Sequence, residues 1–154
     1  MTTLRYTPLA LIAADEEDLE VLSAVLQDAV AKVGDMTFLP QARRFALVAN
    51  RFVWEEGRGK RRGPFSRVRA GVHFDDVTGV RTQALDLGAK EAVVSILAVR
   101  FEAGEDGTGT VVLNLAGGGA VALDVESVNA TARDISEPWR TQNRPDHDEA
   151  AGTR

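Results

Sequence analysis

The sequence predicts an α+β fold: one N-terminal amphipathic helix packed on a mainly antiparallel β-sheet or barrel of about seven or eight strands. Three observations predict it. Between Glu16 and Val33, apolar residues recur at spacings of three and four. After Gly34 the apolar period becomes two. Glycine then punctuates the alternating stretches, where tight turns need residues that reach positive φ.

A short strand, Leu4 to Ile12, is expected first. Asp15 stands where a helix N-cap belongs, and Glu16, Glu17 and Asp18 crowd the first turn, where the helix dipole favours negative charge. Leu19, Leu22, Leu26, Ala29 and Val33 form one apolar stripe. Lys32 and Gly34 supply the usual stop signals. Leu19, Leu22 and Leu26 are therefore expected to be buried, and Glu16, Glu20 and Lys32 exposed. Strands are expected at Phe45 to Trp54, Arg67 to Asp75, Val93 to Glu102, Thr110 to Leu115 and Ala120 to Val128. In the second of these, Val68, Ala70, Val72 and Phe74 alternate with Arg67, Arg69, Gly71, His73 and Asp75, so the latter set is read as a wet face. Gly117, Gly118 and Gly119 form a hairpin tip. A strand follows them at once, which excludes a phosphate-binding loop opening a helix.

A weak internal repeat aligns Leu47–Phe52 with Ile96–Phe101, and Val72–Asp75 with Val121–Asp124. It suggests two related β-meanders, with Phe52 and Phe101 pointing into the core on the faces of Val48 and Leu97. Chance similarity between valine-rich strands is the alternative.

With 154 residues the chain has the size of one domain. Residues 1–137 are assigned to it. Residues 138–154 hold two prolines and no periodicity, and are expected to be a partly disordered tail whose start Trp139 anchors. The 44% of hydrophobic residues suffices for a core. No cysteine is present, which excludes disulfides, thiolate metal sites and a cysteine nucleophile. No apolar run approaches the about 20 residues of a membrane span, and no signal peptide is evident, so a cytoplasmic protein without membrane contact is expected.

Candidate chemistry is sparse. Asp75 and Asp76, with Asp124 at the matching place of the repeat, could form an acid–base or metal pair, but aspartates at strand ends more commonly cap turns. Asp146, His147 and Asp148 lie in the expected tail, where ligands are not held at fixed distances. No serine sits in a nucleophile-elbow context. No catalytic residue, metal site or cofactor is therefore assigned. The informative feature is a basic block. Residues 43–69 hold nine basic residues against Glu55 and Glu56, a net charge of +7. The rest of the chain must carry −12 to reach the total of −5. Arg58, Lys60, Arg61 and Arg62 crowd one turn, and Arg67, Arg69 and His73 share the expected wet face that follows. Guanidinium groups present paired donors to phosphates and carboxylates. This turn and face are the candidate anion-binding site, for an anionic protein or nucleic acid. A solubilising turn that blocks edge pairing is the plainer explanation.

Several blocks together resemble one bacterial family: LIAADEEDLEVLSAVLQDAVAKVGD (Leu11 to Asp35), ARRFALVANRFVWE (Ala42 to Glu55), RVRAGVHFDDVTGVR (Arg67 to Arg81), and LAVRFEAG with GTVVLNLAGGGAVALDVE (within Leu97 to Glu126). The family is domain of unknown function 2948, and the resemblance runs to about Asp148. It implies a small stand-alone bacterial protein and carries no activity, cofactor or site residue with it. The reading is a non-enzymatic binding module. The rival is a small enzyme acting on an anionic substrate through Arg67, Arg69 and His73. A cleft joining His73 to convergent arginines would favour the enzyme. Oligomeric state is not legible.

Overall fold

Asp15 caps the helix as its position predicts. Its carboxylate accepts from the Asp18 amide at 2.8 Å, and the Asp18 carboxylate accepts in return from the Ala14 amide at 3.0 Å. This reciprocal pair satisfies amides that the first turn leaves free. The structure is a computed structural model that describes residues 6–53 and 65–141. Strand β1 (Ala10–Ala13) precedes the helix, α1 (Glu16–Leu26). Leu19, Leu22 and Leu26 are buried, while Glu16, Glu20 and Lys32 are exposed, as the stripe requires.

The helix ends a full turn and more before the predicted Val33. Asp28 adopts a left-handed φ of 67°, which a helix cannot continue through. Val30–Lys32 instead forms β2, wedged between two longer strands. A 3-10 turn (Val33–Asp35) follows. Ala29 and Val33 are buried all the same, because the strand and turn place them inward where the helix would have.

The remaining strands are β3 (Met36–Leu39), β4 (Arg44–Phe52), β5 (Phe65–Asp75), β6 (Val77–Gln83), β7 (Val93–Ala103), β8 (Gly109–Leu115), β9 (Ala120–Val125), β10 (Ala130–Asp134) and β11 (Trp139–Thr141). Among the described residues, eleven strands join in the order β1-β10-β5-β4-β2-β7-β8-β9-β6, with β3 on β4 and β11 on β5. The pairings given by register are antiparallel, and the sheet does not close into a barrel. The count exceeds seven or eight because β2, β3, β10 and β11 are three to five residues long, too short to show a period. The expected tail opens with β11, where Trp139 pairs opposite Arg67. Among the described residues, no helix is long and apolar enough to cross a membrane.

A bend at Asp76 and the packing of α1 bring the two halves of the sheet onto one core. Asp76 separates β5 from β6 with φ 61°, so a single run of chain serves both halves. Its carboxylate accepts from Ser127 Oγ at 3.0 Å and Asn129 Nδ2 at 3.2 Å, which holds the bend. Helix α1 lies against the inner side, where Leu22 and Leu26 join Phe45, Phe74, Leu113 and Leu123 in one apolar cluster. Ser23 Oγ accepts from the Val99 amide at 2.9 Å and ties the helix to β7. At the β8–β9 tip, Gly117 and Gly118 take φ of 91° and 104°, as the glycine run predicts.

The repeat is not present in the fold. The repeat equates β4 with β7 and β5 with β9, yet β4 and β5 pair directly whereas β8 lies between β7 and β9. The strand orders therefore differ. Phe52 is fully buried, but Val48 is only half-buried, since Phe45, Leu47 and Ala49 make the inner face of β4. A bulge between Ile96 and Ala98 turns Leu97 outward, 45% exposed, and leaves Phe101 partly buried against the core.

Truncating the helix stripe tests this packing. Leu22→Ala should destabilise the chain by about 2–5 kcal/mol, the range for a buried leucine. A urea-unfolding midpoint unchanged from the wild type would contradict the placement of α1.

Candidate functional site

Among the described residues, the basic block does not form one continuous surface. Arg58, Lys60, Arg61 and Arg62 lie outside the described residues. Arg43 pairs with Glu126, and Arg44 Nε reaches Asp75 at 2.7 Å. Arg51 leaves the surface altogether. Its guanidinium meets Asp134 in two bonds, Nε to Oδ1 and Nη2 to Oδ2, both 2.9 Å, with each side chain 1% exposed. The alternation of β4 sets Arg51 on the inner face with Phe45, Leu47 and Ala49.

The expected wet face of β5 also needs correction at one end. Arg67 has the same parity as Arg69 and Gly71, yet it is only 6% exposed. Its Nη1 donates to the Asn50 carbonyl at 3.1 Å, so it braces neighbouring β4. Arg69 is exposed, and its Nε donates to the neutral Asn50 side chain at 3.4 Å. His73 is half-buried with Nδ1 3.0 Å from Asp75 Oδ2. Along a strand, four residues separate Arg69 from His73 by roughly 13 Å. The structure thus brings His73 to Asp75 and Arg44, and does not bring it to Arg67 or Arg69. The acidic residues once considered for catalysis are committed elsewhere: Asp75 to Arg44 and His73, Asp76 to its bend, Asp124 to Arg81 at 2.5 Å. Among the described residues, no group of three His, Asp or Glu could hold a metal ion.

A different set of residues gathers beside Arg69. Arg133 on β10 pairs opposite Gly71, which makes it a diagonal neighbour of Arg69, about 7–8 Å away at Cα. Ile135 lies over Gly71, 3.8 Å from where a Cβ would stand, and is itself exposed. Trp139, opposite Arg67 and diagonal to Arg69, is exposed too. Among the described residues, no carboxylate pairs with Arg69 or Arg133. Arg133 and Ile135 carry no sequence signal of a site. β10 and β11 are too short for periodicity, and only the register on β5 shows that they flank Arg69. A second pair missed by sequence, Arg81 and Arg100, lines a cavity on the far half of the sheet.

The buried pair underlies this face, because Asp134 faces inward and alternation then turns Arg133 and Ile135 outward. Asp134 also accepts from the Tyr6 hydroxyl at 2.7 Å and the Leu9 amide at 2.8 Å. Burial pushes the Asp134 carboxyl up, but Arg51, the Leu9 amide and Tyr6 together outweigh it and hold the group below its usual value. Burial, then the bond to Asp134, push the Tyr6 hydroxyl up, so it stays a donor.

Asp134→Ala should cost about 3–5 kcal/mol, because it takes the two-bonded carboxylate away from a buried guanidinium. A depressed carboxyl contributes stability above its unfolded value of about 3.9 and loses it as pH falls through the lower folded value. Wild-type urea midpoints should therefore drop below about pH 4, and Asp134→Asn should show a lower midpoint with a flatter acid limb. Equal acid limbs would contradict the pairing.

No curated protein and no solved structure matches the chain. A family model described as a protein of unknown function, DUF2948, matches residues 9–147, which include β1 through β11. The sequence blocks and the family model agree, and the chain belongs to the DUF2948 family.

Proposed function

We propose that the chain is a binding module that docks an acidic protein segment on the outer face of β5, β10 and β11. One observation carries the reading. Arg69 and Arg133 lack carboxylate partners among the described residues, and they stand interleaved with exposed Ile135 and Trp139. Elsewhere on the described surface, Arg43, Arg44, Arg81 and Arg100 each have a carboxylate. Arginine beside tryptophan and aliphatic residues is the composition of a protein interface, where apolar area supplies affinity and charge supplies orientation. The basic segment Arg58 to Arg62 precedes β5 in sequence. Apolar side chains between the arginines favour a protein over a nucleic acid, which would be held chiefly through phosphates.

The enzyme reading of Arg67, Arg69 and His73 has less support. Arg67 is buried against β4, and His73 is engaged by Asp75 at a distance from Arg69.

A fluorescent glutamate-rich peptide containing leucine should bind at low salt and weaken as salt rises. Arg69→Ala with Arg133→Ala should weaken it about tenfold or more, equivalent to about 1.4 kcal/mol. Trp139→Ala should weaken it while leaving the salt dependence. Equal affinity of wild type and double variant would overturn the reading. Tighter binding of a single-stranded oligonucleotide than of the peptide would replace the protein partner with a nucleic acid.

A further inference from the structure

The far half of the sheet holds a second concavity, distinct from the face just described. Strands β7, β8, β9 and β6 lie side by side, and their registers line up the outward side chains in rows. One row reads Arg100, Val112, Ala122, Arg81. The next reads Ala98, Asn114, Ala120, Gln83, and the row on the other side reads Glu102, Thr110, Asp124, Gly79. The middle strands thus carry small or apolar residues where the outer strands carry arginines. A cavity of about 290 Å³ opens over them, lined by Arg81 and Arg100, the amides Gln83 and Asn114, and the floor residues Val112 and Ala122. Val112 is only 6% exposed although its row faces away from the core.

Both arginines are held in place from the row beside them. Arg100 donates through Nε to Asn114 Oδ1 at 3.1 Å and through Nη1 to Glu102 at 2.5 Å. Arg81 donates through Nε and Nη2 to Asp124, at 3.3 and 2.5 Å. A guanidinium has three nitrogens, so Nη2 of Arg100 and Nη1 of Arg81 remain for a ligand. The hydrogen bond from Arg81 holds the Asp124 carboxyl below its usual value, against the opposing effect of burial, so the brace stays ionised at neutral pH. Bracing reduces the side-chain ordering that a ligand would otherwise have to impose. The lining charges are Arg81, Arg100 and Glu102, and with the Asp124 brace on Arg81 the cluster is neutral.

We propose that this face is a ligand site for a small organic anion, with a flat apolar body over Val112, Ala120 and Ala122 and an anionic group held by Arg81 or Arg100. The volume is near the lower bound of about 300 Å³ for small-molecule pockets, which suits a single ring system and excludes a polymer threaded through it. The amides of Gln83 and Asn114 stand where polar substituents of such a ring would meet them. This site does not depend on the β5 face, since no residue is shared between them.

The test uses the full chain and the dye 8-anilinonaphthalene-1-sulfonate, an aromatic monoanion. Wild-type protein should enhance its fluorescence with a stoichiometry of one per chain, and affinity should fall as salt rises. Arg81→Ala and Arg100→Ala should each weaken binding about fivefold or more, and the pair should do so further. Ala122→Phe should block the floor and abolish binding with both arginines present. Arg69→Ala with Arg133→Ala should leave dye binding unchanged, which separates this site from the peptide face. Circular dichroism of each variant should match the wild type, since the arginines are exposed. Absence of fluorescence enhancement by the wild type would overturn the proposal. So would binding that survives both the double arginine variant and Ala122→Phe, because the dye would then sit on other apolar surface.

Discussion

The buried pair of Arg51 and Asp134 is the constraint on which the architecture turns. It crosses β5, joining β4 on one side to β10 on the other. A charge out of water is costly unless paired and hydrogen-bonded. Here both carboxylate oxygens are occupied, by two guanidinium nitrogens, the Tyr6 hydroxyl and the Leu9 amide. The Asp134 amide in turn donates to the Leu9 carbonyl at 3.1 Å. The pair therefore fixes three chain segments far apart in sequence. It gives a five-residue strand, β10, a definite register that its sequence is too short to specify. That register is what presents Arg133 and Ile135 beside Arg69.

The two halves of the sheet are joined by small backbone devices rather than by a second core. Asp76 turns one long alternating run into β5 and β6, and its carboxylate fastens the bend to Ser127 and Asn129. The bulge at Leu97 lets β7 serve β2 at one end and β8 at the other. Gly109 permits the close start of β8, where a Cβ would stand 2.5 Å from the Glu102 carbonyl and the Phe101 ring. With α1 filling the inner side, both halves bury their apolar faces in one cluster, and their outer faces are left to different chemistry.

Those outer faces differ in how they treat arginine. On the β5 side, Arg69 and Arg133 have no carboxylate partner among the described residues and lie among exposed apolar residues, an arrangement suited to a large, complementary partner. On the β6–β9 side they are braced by carboxylates around a small concavity, an arrangement suited to a compact ligand. Both readings place recognition on sheet surfaces built from regular strands, which are held more rigidly than loops.

The sequence by itself determined the family, the single capped helix, its three buried leucines, the longer strands and the glycine tip. Each of these rests on local periodicity or on one residue's own conformational preference, and both are written along the chain. It misjudged the end of the helix, because Val30–Lys32 gains two strand neighbours that a local pattern cannot show. It counted Arg51 in the basic run and read Arg67 as part of a wet face, because an arginine in a basic run looks the same whether solvated or, like Arg51, paired with an aspartate 83 residues away. Tertiary structure alone decided which described arginines have no carboxylate partner among the described residues, and which small residues from β8 and β9 lie between Arg81 and Arg100. Both depend on register between strands distant in sequence, and register is fixed by the packing of the whole sheet around its core.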